Sequence, residues 1–279
     1  MTIDHLQKGI GMSFDVGVNT EFVHHHGRVF DEGMRIAAPG GRGSHVRRKL
    51  MTSTCLAFLF LVSVLTAADP LRVQITTGGH PHDISFYSIF ENQKDLAVTV
   101  NPHPSAFRRD LRKFADVLVL YDLDDVTAEP ERKNLQAFLE SGGGLVVLHH
   151  ALADNWQWKW WYEEVVGGRF LMGQDGDMPR STAKAPALLK VRPVAQHPVL
   201  AGVGELRLDD EAYQGEWISP KSLVLMETDN SDNMKTVVWI GPWQKSRVVA
   251  IQMGHGPGSH QDPGYRRLVH NAILWAAGK

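Results

Sequence analysis

The stretch Ser141-Gly142-Gly143-Gly144-Leu145-Val146-Val147-Leu148-His149-His150 constrains the fold of this 279-residue chain more than any other. Three glycines can end a preceding helix in left-handed geometry. The unbroken apolar run at 145–148 is the signature of a central strand covered on both faces. Strand patterns at 71–77, 97–100 and 116–121 come before it. A helix at 129–140 links the last of them to it, with Thr127 as its expected cap and Leu135, Phe138 and Leu139 on one face. Strands alternating with helices at this spacing imply βαβ units and a mainly parallel sheet, so the fold class is α/β.

Further along, the region 170–235 reads as loops with short strands at 188–191 and 223–226. Strands at 236–240 and 247–253 follow, then a closing amphipathic helix at 263–277 with Leu268, Ile273, Leu274 and Trp275 facing inward. One domain over 69–279 accounts for this pattern. In an open α/β sheet, ligands bind at the carboxyl ends of the strands. His149 and His150 stand at such an exit, and a strand reaching that far would send their side chains to opposite faces.

The N-terminal quarter reads differently. Arg47-Arg48-Lys49, an apolar run at 50–65 and Thr66-Ala67-Ala68-Asp69-Pro70 make up a positive n-region, an h-region and a small-residue cleavage site, so 46–68 is expected to be a signal peptide. The competing reading is an uncleaved anchor, since the segment nearly reaches spanning length. Export to a periplasm or extracellular space, without stable membrane insertion after cleavage, is the expectation. Residues 1–45, with His24-His25-His26, have no sustained periodicity and read as a disordered or misassigned upstream extension. The single cysteine, Cys55, lies in the leader, so 69–279 offers neither a thiol nucleophile nor a thiolate ligand. A net charge of −2 gives no drive toward nucleic acid.

Of the nine histidines after residue 70, five lie at strand exits: His80 and His82, His149 and His150, and His255 between two glycines. Asp122 and Asp124 leave the third strand and are expected in a solvated turn. Asp209, Asp210, Glu211 and Tyr213 sit in the loop-rich region and can fold over the same rim. Two chemistries fit this set. Histidines and carboxylates can hold a divalent metal such as zinc, with His80, His149 and His255 as ligands, although no spacing matches an established metal motif. Alternatively they act as general acid and base on a sugar-like substrate. The aromatic run at 156–162 is divided between core and sugar platform, with Trp156 on the substrate side.

Residues 142–149 followed by the Trp/Tyr-rich segment, His197-Pro198-Val199-Leu200-Ala201-Gly202, Asp210-Glu211-Ala212-Tyr213, Val238-Trp239, Gly254-His255 and Ile273-Leu274-Trp275-Ala276-Ala277-Gly278 together resemble the ThuA-like, or trehalose-utilisation, family. The resemblance spans roughly 70–278. It implies a three-layer, flavodoxin-like fold of the class I glutamine amidotransferase type. The amidotransferase cysteine has His149 in its place here, which excludes glutaminase chemistry. It also implies a small-molecule carbohydrate partner, a disaccharide or its keto derivative, altered by hydrolysis, elimination or isomerisation. On this reading His149, His255 and Glu211 are catalytic, while His80, Asp210, Trp156 and Tyr213 bind substrate. A non-catalytic sugar-binding module and a homo-oligomeric assembly subunit are the alternatives on the same fold.

Overall fold

A computed structural model describes residues 69–279. The elements run β1 (Leu71–Gly78), β2 (Leu96–Pro102), β3 (Val117–Asp122), α1 (Glu129–Glu140), β4 (Gly144–Leu148), β5 (Gly168–Arg169), β6 (Thr182–Pro193), β7 (Leu206–Gln214), β8 (Trp217–Ile218), β9 (Leu223–Thr228), β10 (Thr236–Ile240), β11 (Val248–Ile251), α2 (Pro257–His260) and α3 (Pro263–Ala276). Nine strands form one sheet in the order β2-β1-β3-β4-β11-β10-β9-β6-β7. The strands from β2 to β11 are parallel. From β11 through β10, β9 and β6 to β7 every pairing is antiparallel. The chain turns in opposite directions from β1 into β2 and β3, so a topological switch lies between β1 and β3.

Alternation along the buried strands divides the core into two layers. Val73, Ile75, Val117, Val119, Val146 and Leu148 face α3, which presents Leu268, Val269, Ala272 and Ile273. Their neighbours Leu118, Leu120, Leu145 and Val147 face the other way, onto Leu135, Phe138 and Leu139 of α1. Trp161 and Val165, from a π-helical turn at Trp160–Val166, complete that layer. Each such large apolar side chain, fully buried, contributes about 1.5–3 kcal/mol. Helices on both faces of a parallel sheet make the three-layer α/β arrangement.

The glycine run before β4 serves packing as much as turning. Gly142 is left-handed, with φ +95°, but Gly143 and Gly144 are not. A Cβ on Gly143 would lie 2.4 Å from the Phe138 ring, and one on Gly144 would lie 2.6 Å from the Ala276 carbonyl oxygen. These two glycines let both flanking helices close onto the central strand.

Three local expectations are corrected. Thr127 does not cap α1; Ala128 is the N-cap without a side-chain bond, and Glu129 and Glu131 favour the positive end instead. The loop-rich region holds the two long strands β6 and β7, paired from Thr182–Gln214 to Val191–Leu206. Asp209, Asp210, Glu211 and Tyr213 therefore sit on a strand, fixed by its ladder. Leu274 and Trp275 are only partly buried, and the inward face of α3 is carried by Leu268, Val269, Ala272 and Ile273. No helix among the described residues is long and apolar enough to cross a membrane. The expected leader and upstream extension lie outside the described residues.

Candidate functional site

The site assembles at the carboxyl ends of β1, β4 and β11, closed over by β7. β4 ends at Leu148, and the chain enters a 3-10 turn at His149–Ala153. His149 takes a left-handed φ of +44°, a conformation that costs a non-glycine residue of order 1–3 kcal/mol. That sharp turn cancels the strand's alternation, so His150 is not sent to the opposite face. It lies beside His149, with ring centroids 4.5 Å apart.

His149 is fully buried and its ring is fixed from both ends. Nδ1 donates to the Gln252 carbonyl oxygen at 2.7 Å. A carbonyl only accepts, so Nδ1 carries the proton, and a neutral ring presents the lone pair of Nε2. Around that Nε2 lie the Tyr213 hydroxyl at 2.9 Å, His255 Nδ1 at 3.2 Å and Glu211 Oε2 at 3.3 Å. The same Glu211 oxygen is 3.4 Å from His255 Nδ1. Tyr213 also stacks on the His149 ring, with centroids 4.7 Å apart. His80, at the exposed exit of β1, packs on His150 with centroids 4.4 Å apart while its Nδ1 turns to the Pro81 carbonyl oxygen.

Asp210 holds the turn that carries His255. Its carboxylate accepts from the backbone N–H groups of Gly254 at 2.8 Å, His255 at 3.1 Å and Glu211 at 2.7 Å, and from the Ser259 hydroxyl. It is only 4% exposed, so its oxygens are spent inside the protein. Gly254, with φ +125°, lets this turn pass close to Tyr265, whose hydroxyl a Cβ would strike. Behind it, Tyr121 and His260 both hydrogen-bond the Gly254 carbonyl oxygen, at 2.6 and 2.8 Å.

Charge is divided unevenly across the cluster. Burial, reinforced by the neighbouring imidazoles, pushes His150 down to about 2, so its ring is neutral. Burial would raise the Glu211 carboxyl, but its close contacts with the His149 and His255 imidazoles outweigh it and hold the group well below the usual carboxylate range. The hydrogen bond to Glu211 moves His255 upward. Burial, with the charge of Glu211 next, drives the Tyr213 hydroxyl well above its ordinary value. The result is a charged carboxylate beside one readily protonated imidazole and one fully neutral one, an arrangement suited to proton transfer.

Two cavities meet over this cluster. One, of about 250 Å³, is walled by His80, Phe170, Arg180, Glu211 and Tyr213. The other, of about 370 Å³, is walled by Pro81, His82, Asp83, Gly256 and Pro257. His150 and His255 line both. The family model for ThuA, trehalose utilisation, matches residues 72–276. The chain belongs to the ThuA family.

Solved structures agree on the fold. A ThuA-like protein from Parabacteroides merdae superposes with a TM-score of 0.66 at 19% identity, covering 76% of this chain and 91% of that one. A ThuA-like protein from Bacteroides uniformis gives 0.59 at 20% identity, covering 76% and 93%. A TRPM8 channel-associated factor homolog from Danio rerio is 38% identical over 72 residues, which are 25% of this chain and 7% of that protein's length.

Within this ThuA domain the residues singled out from the sequence are only partly brought together. His149, His255, Glu211 and Tyr213 converge around one point, and His80 stands at the rim. His80 is not part of the tight imidazole group, which is His149, His150 and His255, each offering a nitrogen within 4.8 Å of the others. Trp156 is outside the cavity walls and packs against Gly173. Trp161 is fully buried, while Trp158 and Trp160 lie against Arg132 and Trp243. Asp122 is not in a solvated turn: it is 1% exposed and bonds His103 Nδ1 at 2.8 Å. Arg180 carried no signal in the sequence. His150 did, as half of the doublet, but strand parity argued against it.

Proposed function

We propose that this ThuA domain is an exported carbohydrate-active enzyme that acts on a disaccharide or its keto derivative. The observation that carries the reading is the meeting of two cavities at His150 and His255, directly beside the His149–Glu211–His255 network. Each cavity suits one sugar unit, and the bond between the units then crosses the imidazoles. A ring carbonyl acidifies its neighbouring C–H, so an imidazole base and an imidazolium acid suffice for elimination or isomerisation, and the same pair serves hydrolysis.

In this reading His149 and His255 exchange protons with the substrate and Glu211 sets which imidazole holds the proton. Tyr213 orients His149. Asp210 is a positioning residue for His255, and His80 contacts sugar at the rim. Phe170 and Tyr213 supply the aromatic walls expected for a sugar face, in place of Trp156. His255 is partly exposed and its side chain carries no core packing, so His255→Ala should abolish turnover while leaving the thermal transition nearly unchanged. Undiminished turnover in that variant would reject the assignment.

A further inference from the structure

His150 poses a question that proton transfer between His149 and His255 does not answer. It is 5% exposed, and neither ring nitrogen has a hydrogen-bond partner. A buried imidazole without a partner costs about 1–3 kcal/mol for each unsatisfied group, and folded proteins rarely leave one so. Beside it, three more donors crowd one point. His149 Nε2, His255 Nδ1 and Glu211 Oε2 stand 3.2, 3.3 and 3.4 Å apart pairwise. With its proton on Nε2, His255 brings a lone pair on Nδ1 to join that of His149 Nε2 and those of the carboxylate oxygen, and the His149 proton is already committed to Gln252 on the other side of the ring.

Those separations have a second meaning. Zinc–nitrogen and zinc–oxygen bonds of about 2.0–2.1 Å in a tetrahedron place neighbouring ligand atoms roughly 3.3 Å apart. The His149–His255–Glu211 triangle thus has the edges of one tetrahedral face. A nitrogen of His150 lies within 4.8 Å of those of His149 and His255, which makes it the nearest further imidazole on offer as a fourth ligand.

We propose that His149, His150, His255 and Glu211 bind one divalent transition-metal ion. Imidazole nitrogens with a single carboxylate and no thiolate fit Zn²⁺ best among the common ions and fit Mg²⁺ or Ca²⁺ poorly. His80 is not a ligand; its ring packs on His150 and restrains it from outside. The Nδ1–H bond of His149 to Gln252 is the outer contact that fixes a ligating ring's tautomer. The inference rests on the carbohydrate reading of the same site and changes the chemistry there: with a cation bound, His149 and His255 would hold it instead of carrying protons, and the cation would polarise a sugar carbonyl; it does not require any particular sugar.

The test is metal binding without substrate. The full chain, made without an added tag and stripped with chelator, is titrated with Zn²⁺ by calorimetry and then with Co²⁺, whose visible spectrum reports tetrahedral nitrogen and oxygen ligation. One tight equivalent per chain is expected. His150→Ala and His255→Ala should each weaken that equivalent at least about 100-fold, since losing a ligand costs no less than the roughly 10–100-fold lost with an outer partner of one. The variant with His24, His25 and His26 all changed to Ala should keep it, since that triplet can chelate by itself. No tight equivalent, or one that survives in His255→Ala and disappears with the triplet, overturns the proposal. His255→Ala keeps the test decisive if His150→Ala fails to fold. A bound metal with no sugar turned over would sink the substrate reading and leave the metal site standing.

Discussion

Replacing Asp210 by Asn should cost far more than the exchange of one atom suggests. The wild-type Oδ2 accepts from Gly254 N–H and Ser259 Oγ–H, and Oδ1 accepts from His255 N–H and Glu211 N–H. An amide keeps one accepting oxygen and turns an NH₂ group toward the other pair of donors. With the NH₂ on the Oδ2 side the Ser259 hydroxyl can turn and accept from it, so at least one backbone N–H, that of Gly254, loses its charged acceptor. At about 1.5–3 kcal/mol for a hydrogen bond to a charged group, the expected destabilisation is at least about 1.5–3 kcal/mol, with a further loss of order at His255. Urea unfolding would show this as a lower midpoint with an unchanged slope. Activity should fall with it, because the turn that carries His255 is no longer held. A destabilisation below about 1 kcal/mol would show that the Asp210 carboxylate does not fix this turn.

Two other sites give separable expectations. Glu216 is buried with neither carboxyl oxygen partnered, and burial pushes its pKa from 4.5 up to about 8. Between those values the folded protein keeps a proton that the unfolded chain releases, so stability falls as pH rises through that window. At about 1.4 kcal/mol per pH unit the limit is about 5 kcal/mol. Glu216→Gln should therefore match wild type in thermal transition at pH 5 and exceed it at pH 9, and parallel pH profiles would refute this. Gly254→Ala meets the Tyr265 hydroxyl at a backbone φ of +125°. It should lower stability by about 1–3 kcal/mol through strain alone and displace His255; a variant with wild-type unfolding and turnover would contradict the close approach.

The parts of this fold that were legible in the sequence are those where one physical demand acts alone. Residues 145–148 had only to be buried on both sides, and they read as such. β7 was not legible because two demands compete along it. Leu206 and Leu208 alternate as a half-buried strand should, but the next inward position is Asp210, placed there to hold the His255 turn. A carboxylate at a core position erases the period-two signal at the point where function enters. His150 was misplaced for a related reason: alternation holds only while the backbone stays extended, and the positive φ of His149 ends it. Trp156 is close in sequence to the histidine doublet, but its ring lies beside Gly173 and outside the cavity walls. Asp122 looked solvated because its partner, His103, lies 19 residues away on a different loop.

The central claim is that the histidine cluster at the strand ends performs chemistry on a sugar. Incubating the protein with a disaccharide and with its keto derivative, and analysing the sugar afterwards by NMR, tests this most directly. The account predicts that one of them is consumed by the wild-type protein and recovered intact from His255→Ala. A sugar that raises the thermal transition of the wild-type protein, yet is recovered unchanged, would contradict it and make this ThuA domain a binding module.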